Sequence, residues 1–231
     1  MINHKPWRTT FWESLSAESR DGLTRLGYLQ TFPPNSLLMR QNEPASVVMI
    51  LLRGCVKIVA HLPNGYEAIL ALRDPGDLIG ELGSIDQLPR SANVQAVIGA
   101  ETLTLPVERF TTYVERHRDV RLVVQRCLIA RLREADWQRT SAVSSPLPAR
   151  LADLLLDLGN RYGEERDGDQ VEIALPLSQD DLAGFLAVSR RTVVRTLEQW
   201  REEGLINTGR RSMLLKETAR LRTIARHERS A

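Results

Sequence analysis

Glu81 and Arg90 stand nine residues apart in GELGSIDQLPRSA (80–92), with Gly80 opening the stretch, Pro89 before the arginine and Ser91 after it. A carboxylate only accepts hydrogen bonds, whereas a guanidinium offers a planar pair of donors. Taken alone, the two read as a structural ion pair. A second set lies in SRRTVVR (189–195), where Arg190, Arg191 and Arg195 fall near one face of a helix. Guanidinium groups so placed can pair bidentately with guanine O6 and N7 or hold phosphates.

The elements that would carry the second set are legible around it. Ser178 followed by Asp181 is a helix-start pattern close to a capping box, with Asp in place of the usual Glu. Leu182, Ala183 and Leu186 then mark one short helix, which breaks near Ala187-Val188. Ser189 starts a second helix bearing Val193, Val194, Leu197 and Trp200. Two short helices joined by a tight turn make a helix-turn-helix. The following GLINTGRRSMLLK (204–216) reads as a wing-like hairpin that would bring Arg210 and Arg211 to a phosphate backbone. Charge changes sign here: residues 150–188 hold three basic and nine acidic side chains, residues 189–231 eleven basic and five acidic. A basic end of this kind is a footprint for phosphates, or else a solvated helix face.

The first set sits in a different texture. Residues 14–27 read as a helix, and from 28 to 106 short runs rich in β-formers are separated by Gly, Pro and Asn turns, which predicts an antiparallel roll or barrel. Pro63-Asn64-Gly65 marks a hairpin. Helical texture resumes at Val107, and about 28 residues from His117 predict a rod of roughly 40 Å. Its Val120, Val124, Leu128, Leu132 and Ala135 form a stripe that serves a partner helix as easily as the roll. Pro146 and Pro148 stop the rod; ARLADLLLDLGNRYG follows as an amphipathic helix, then an acidic loop, GEERDGDQ (163–170), and a short strand, VEIALP.

With 231 residues, the chain is comfortable for two domains, and 42% hydrophobic with 26% charged residues is an ordinary globular balance. Its longest aliphatic run, VVMILL (47–52), is far short of the roughly 20 residues that span a bilayer. The N-terminus lacks the apolar core of a secretory signal, and Cys55 and Cys127 make no framework of bridges, so the cytoplasm is the expected location. An iron-sulfur cluster wants about four thiolates, and His4, His61, His117 and His227 form no ligand pattern, so no metal is expected. Neither Gly-x-Ser-x-Gly nor a P-loop lysine motif occurs, and no enzyme is expected.

Taken together, GCVKIV, DPGDLIGELG, PRSA, the long helix and SQDDLAGFLAVSRRTVVRTL resemble the catabolite activator and fumarate-nitrate regulator (Crp-Fnr) family over nearly the whole chain. The resemblance implies an α+β protein: a cyclic-nucleotide-binding β-roll of jelly-roll type (1–116), a long dimerisation helix (117–145) and a winged helix-turn-helix (146–231). It implies cyclic AMP or cyclic GMP as effector, a homodimer on a near-palindromic site in double-stranded DNA, and RNA polymerase as a further partner. Arg90 and Ser91 would then bind the phosphodiester and Glu81 the ribose 2′-OH. Gly80 and Leu82 would lend backbone, and the turn LGSID would favour the anion at its N-terminus. Ser178, Gln179, Ser189, Arg190, Arg191, Thr192, Arg195, Arg210 and Arg211 would meet DNA.

Four positions depart from the pattern. Ala135 and Asp136 stand where the family's activator reaches adenine with Thr and Ser; a carboxylate at 136 could accept from guanine N1–H and N2–H₂, giving a guanine preference, or merely pair with Arg133 or Arg139. Arg191 replaces a Glu that accepts from cytosine N4, and Ala187 stands where Gly is common. A ligand-independent regulator and one responding to cyclic di-GMP are the alternatives within this fold. The acidic loop 163–170 is a candidate polymerase contact by position, or a solvated loop.

Overall fold

The computed structural model describes residues 10–209 and 211–227, so Arg210 of the expected wing tip lies outside the described residues. The chain divides into two compact units, one ending at Ala135 and the other beginning at Asp136.

The first unit begins with α1 (Ala17–Leu26), whose N-cap Ser16 accepts from the Ser19 amide at 3.1 Å. Eight strands follow: β1 (Tyr28–Phe32), β2 (Leu37–Met39), β3 (Val47–Arg53), β4 (Val56–His61), β5 (Glu67–Arg73), β6 (Leu78–Ile79), β7 (Asn93–Ala96) and β8 (Ala100–Pro106). The six-residue helix α2 (Glu81–Asp86) lies between β6 and β7. The strands form two four-stranded antiparallel sheets, ordered β1-β8-β3-β6 and β2-β7-β4-β5, which is the expected roll. The aliphatic run in β3 has a simple cause. Alternate residues leave opposite faces of a strand. Val48 and Ile50 join a core with Leu23, Leu105 and Phe110, while Met49 and Leu51 join a second core with Val56, Val94 and Ala96. The Pro63-Asn64-Gly65 turn joins β4 to β5, with Gly65 alone of the three at positive φ (78°).

Two strands of this unit escape the sequence reading. β1 is an edge strand with Tyr28 and Leu29 exposed, and β6 has only two residues, too short to show a period. The helical stretch after Val107 is two helices, α3 (Val107–Arg116) and α4 (Arg118–Ser144). At His117 the backbone is extended (φ −116°, ψ 97°), and its ring stacks on Tyr113 at 3.8 Å.

The 27 residues of α4 match the predicted rod, but its stripe divides. Val120 and Val124 are buried in the roll's core and Leu128 packs against it, whereas Leu132 is 58% exposed together with Ile129 and Leu122. The divergence arises because steps of four drift around a 3.6-residue helix, so one linear stripe covers two faces.

The second unit contains α5 (Leu147–Tyr162), β9 (Gly163–Glu165), β10 (Val171–Ile173), α6 (Gln179–Leu186), α7 (Arg190–Glu202), β11 (Ile206–Thr208), β12 (Met213–Leu215) and α8 (Thr218–His227). Pro146 caps α5 and Pro148 occupies its first turn, where a missing N–H costs nothing. The sheet runs β11-β12-β10-β9. The acidic segment 163–170 is therefore not simply a loop. It forms the β9–β10 hairpin, where Arg166 clamps Glu172 through Nε (3.0 Å) and Nη2 (2.8 Å), and Asp169 accepts from the Ala219 amide at 2.6 Å and from the Thr218 hydroxyl at the start of α8. Among the described residues no helix is long and apolar enough to cross a membrane.

The helix-turn-helix forms as expected. Ser178 and Asp181 make a reciprocal capping box on α6, and Ser189 accepts from the Thr192 amide at the start of α7. Ala187 between them is left-handed (φ 52°, ψ 46°). That conformation costs an L residue about 1–2 kcal/mol, while glycine would lose more chain entropy on folding, roughly 0.5–1 kcal/mol. Ala187→Gly is therefore expected to be neutral to stabilising by up to about 1 kcal/mol, whereas Ala187→Val should lower the thermal midpoint; differential scanning calorimetry of both variants checks the order.

Candidate ligand site and nucleic-acid interface

In the first unit, Gly80 turns the chain from β6 into α2. Its φ is +81°, and a Cβ there would lie 2.7 Å from Arg90 Nη1 and 2.7 Å from the Met39 methyl. The position thus demands glycine twice over, by backbone conformation and by space. Glu81 follows as the first residue of α2 and is 2% exposed. Leu82 and Ser91 face solvent, while Arg90 is 6% exposed.

Glu81 and Arg90 do not pair with each other. Arg90 Nη1 donates to Gly80 O at 2.7 Å and Nη2 donates to Val47 O. Its backbone is tied in as well: its amide donates to Glu43 O and its carbonyl accepts from the Asn42 amide, both at 2.9 Å. Among the described residues no carboxylate makes an ion pair with it. Burial pushes its pKa down, and the nearby charge of Glu81 only partly opposes this. A buried guanidinium with two neutral carbonyls as partners is an unneutralised charge in a low-dielectric place, which is costly unless an anion completes it.

Glu81 has a different partner, one that the sequence reading missed. Arg131 of α4 donates from Nη1 to Glu81 Oε1 and from Nη2 to Leu78 O. Burial opposes the charge on Arg131, but the Glu81 carboxylate, its hydrogen bond and Asp77 outweigh it and raise the pKa. One turn further along the helix, Glu134 stands 3.7 Å from Arg73 at the end of β5. Arg131 belongs to α4, fifty residues from Glu81, and only the spacing from Val124 and Leu128 hints that it faces the roll. Ala135 is half-buried at the end of this unit. Asp136 is exposed and pairs with Arg139 at 3.1 Å, one of the two outcomes anticipated for it. No group of three or more His, Cys, Asp or Glu among the described residues is placed to hold a metal ion.

In the second unit, α7 buries Val193, Leu197 and Trp200 and leaves Arg190, Arg191 and Arg195 exposed. Arg190 Nε lies 3.7 Å from Asp180 on α6, a contact so exposed that water and salt weaken it. Arg191 and Arg195 have no ion-pair partner among the described residues. Ser178 is exposed and Gln179 half-buried at the start of α6, and the Thr192 hydroxyl bonds that of Ser189 at 2.7 Å. Arg211 is exposed beyond β11, with the Gly209 amide donating to Ser212 O across the turn. Arg150, also unforeseen, donates from α5 to Leu186 O at 2.8 Å and so fixes the last turn of α6.

A roll with a buried guanidinium that no carboxylate pairs, on the same chain as a winged helix-turn-helix with an arginine-bearing second helix, is the arrangement of a DNA-binding regulator with a ligand-binding roll. Comparison with known proteins agrees. Residues 29–117 match the cyclic nucleotide-binding domain and residues 149–224 the Crp-like helix-turn-helix domain. The chain is 30% identical to the cyclic AMP receptor protein of Thermus thermophilus, over 87% of this chain and 90% of that one. It is 26% identical to a CRP-like cAMP-activated global transcriptional regulator of Mycobacterium tuberculosis, over 84% and 87%. A solved CRP-family transcriptional regulator of T. thermophilus superposes with a TM-score of 0.73 at 25% identity, covering 85% and 96%. The chain belongs to the Crp-Fnr family of DNA-binding transcriptional regulators and carries that family's cyclic-nucleotide-binding domain.

Removing one member of the Glu81–Arg131 pair leaves the other buried and uncompensated, which typically costs about 3–5 kcal/mol. Arg131→Met is expected to destabilise the chain strongly and Arg131→Met with Glu81→Gln distinctly less, a coupling that denaturant unfolding of both single variants and the double variant would measure.

Proposed function

We propose that the protein is a homodimeric transcription regulator whose DNA binding is controlled by a cyclic nucleotide seated on Arg90. The observation that carries this reading is the buried, carboxylate-free guanidinium of Arg90. A cyclic nucleotide carries one singly charged phosphodiester and a free ribose 2′-OH. The phosphodiester supplies the missing anion to Arg90 through charge-assisted hydrogen bonds, with the exposed hydroxyl of Ser91 beside it. The 2′-OH donates to Glu81, whose carboxylate is already engaged by Arg131. Effector and α4 therefore share one acceptor, and occupancy re-aims Arg131. An effector shifts the DNA-competent population only through such differential contacts.

Leu122, Ile129 and Leu132 suit the dimer seam. They are exposed and spaced by seven and three, the repeat by which paired helices interlock. Asp136 and Arg139 continue the same register as a charged step, with Val143 after them. A two-fold dimer would set two copies of α7 about 34 Å apart, in successive major grooves of a near-palindromic site. There Arg190 and Arg195 would reach base edges, while Arg191 and Arg211 would grip phosphate. RNA polymerase would be the further partner of such a DNA-bound dimer.

One observation favours a second reading, a regulator that needs no ligand: the pairing of Glu81 with Arg131 already satisfies the site's carboxylate from within the chain. The two readings separate in calorimetric and DNA-binding titrations. Cyclic AMP or cyclic GMP should bind the wild type, and Arg90→Met should weaken binding by about 30-fold or more while a near-native melt shows that the fold survives. Equal affinity for a selected DNA site with and without nucleotide would favour the ligand-free regulator. In sedimentation, Ile129→Asp with Leu132→Asp should convert a dimer to a monomer; an unchanged sedimentation coefficient would move the seam elsewhere.

A further inference from the structure

Asp180 and Asp181 stand side by side in the first turn of α6, yet they spend their carboxylates differently. Asp181 turns back on Ser178, accepting from its amide at 2.8 Å and from its hydroxyl at 2.7 Å, and so completes the capping box. The start of α6 is thus capped without Asp180. Asp180 instead reaches the next helix: its Oδ2 lies 3.7 Å from Nε of Arg190, the first residue of α7. A carboxylate in a first turn also favours the dipole of its own helix. That role asks only for a negative charge, and any direction of the side chain would serve it.

The direction taken has a consequence for Arg190. At 3.7 Å the contact is one of charge and not a hydrogen bond, and it falls on Nε. Nη1 and Nη2 have no hydrogen-bond partner among the described residues. Those two nitrogens form a fork that matches guanine O6 and N7. Arg190 has a second use for a carboxylate: α7 carries no acid in its first turn, so Arg190 and Arg191 both stand at the positive end of its dipole. A long side chain that is ordered on binding loses rotamer freedom, and a neighbour that orders it beforehand reduces the loss.

The same carboxylate has an opposite effect on affinity. The first helix of a helix-turn-helix crosses the phosphate backbone, so a negative charge on α6 is repelled by DNA of any sequence. A residue that weakens binding to all DNA while steadying one base-reading arginine raises the ratio of specific to non-specific binding. We propose that Asp180 is a positioning residue for DNA recognition: it holds Arg190 at Nε so that Nη1 and Nη2 meet a guanine edge and not a phosphate. The inference rests on the placement of α7 in the major groove given above. Water screens the pair in the free protein; base edges and phosphates exclude that water in the complex, and the pair strengthens there.

The test titrates the full chain, by fluorescence anisotropy at fixed salt with cyclic AMP and cyclic GMP both present, against three kinds of duplex. These are the site it selects from a random pool, every single-base-pair variant of that site, and an unrelated sequence. Arg190→Ala identifies the base pair that Arg190 reads, as the position where preference is lost. Asp180→Asn keeps the side chain's shape and the Asp181 capping box, so its melt should stay near that of the wild type. It should bind the unrelated duplex about twofold to fivefold tighter, and lower the preference for guanine at the Arg190 position by about threefold to fivefold, with preferences elsewhere unchanged. Asp180→Glu should retain most of that preference. In an Arg190→Ala background, Asp180→Asn should tighten all sequences alike and change no preference. Ratios between duplexes within one variant cancel the active fraction and any effector dependence. If Asp180→Asn binds every sequence tighter by one common factor with guanine preference intact, the positioning role is overturned while α7 remains the reading helix. If Arg190→Ala keeps every base preference, or the wild type selects no site, the placement of Arg190 on a base edge and this inference are overturned together.

Discussion

A charged guanidinium held almost wholly out of water, with only two backbone carbonyls to answer it, is the constraint around which the first unit is arranged. Arg90 owes this state to Gly80, whose missing Cβ leaves room for Nη1, and to Val47, whose carbonyl at the start of β3 takes Nη2. The backbone bonds to Asn42 and Glu43 fix the main chain at this residue. Neutral dipoles steady a buried cation, but they do not replace a counter-ion. The site is thereby predisposed toward an anion small enough to reach it.

The second consequence follows from where the nearby carboxylate is spent. Glu81 is held by Arg131, so the helix that carries the core residues Val120 and Val124 is also fastened to α2 through a buried ion pair. Such pairs contribute little net stability when intact and cost much when broken. That asymmetry suits a joint whose partner can be exchanged. Any group that competes for Glu81 acts on α4 at Arg131, one turn before Glu134, which faces Arg73 of β5.

The fold was readable where local chemistry is strong. The β-runs with their Pro-Asn-Gly and Asp-Pro-Gly-Asp turns, the capping box at Ser178 and the left-handed demand at Ala187 each have a cause within a few residues. β1 and β6 were invisible because one is an exposed edge and the other has two residues. The start of the rod near His117 was legible, but the extended backbone at that residue and the stacking of its ring on Tyr113 were not. For the site, GEL and PRSA identified Glu81 and Arg90, but not that they ignore each other. Arg131, Glu134 and Arg73 were unreadable for one reason: their partners lie roughly fifty or sixty residues away along the chain, and no local pattern records a pairing made only by the packing of α4 on the roll. Arg150 is hidden in the same way, since its partner Leu186 belongs to another helix.

The central claim is that Arg90 lacks a counter-ion and that a cyclic phosphodiester provides it. A crystal structure of the full chain grown with saturating cyclic GMP tests it most directly. The account predicts phosphodiester oxygens within hydrogen-bond distance of the Arg90 guanidinium and a ribose hydroxyl on Glu81. A nucleotide bound elsewhere, with Arg90 still turned to its two carbonyls and an untouched Glu81–Arg131 pair, would contradict it.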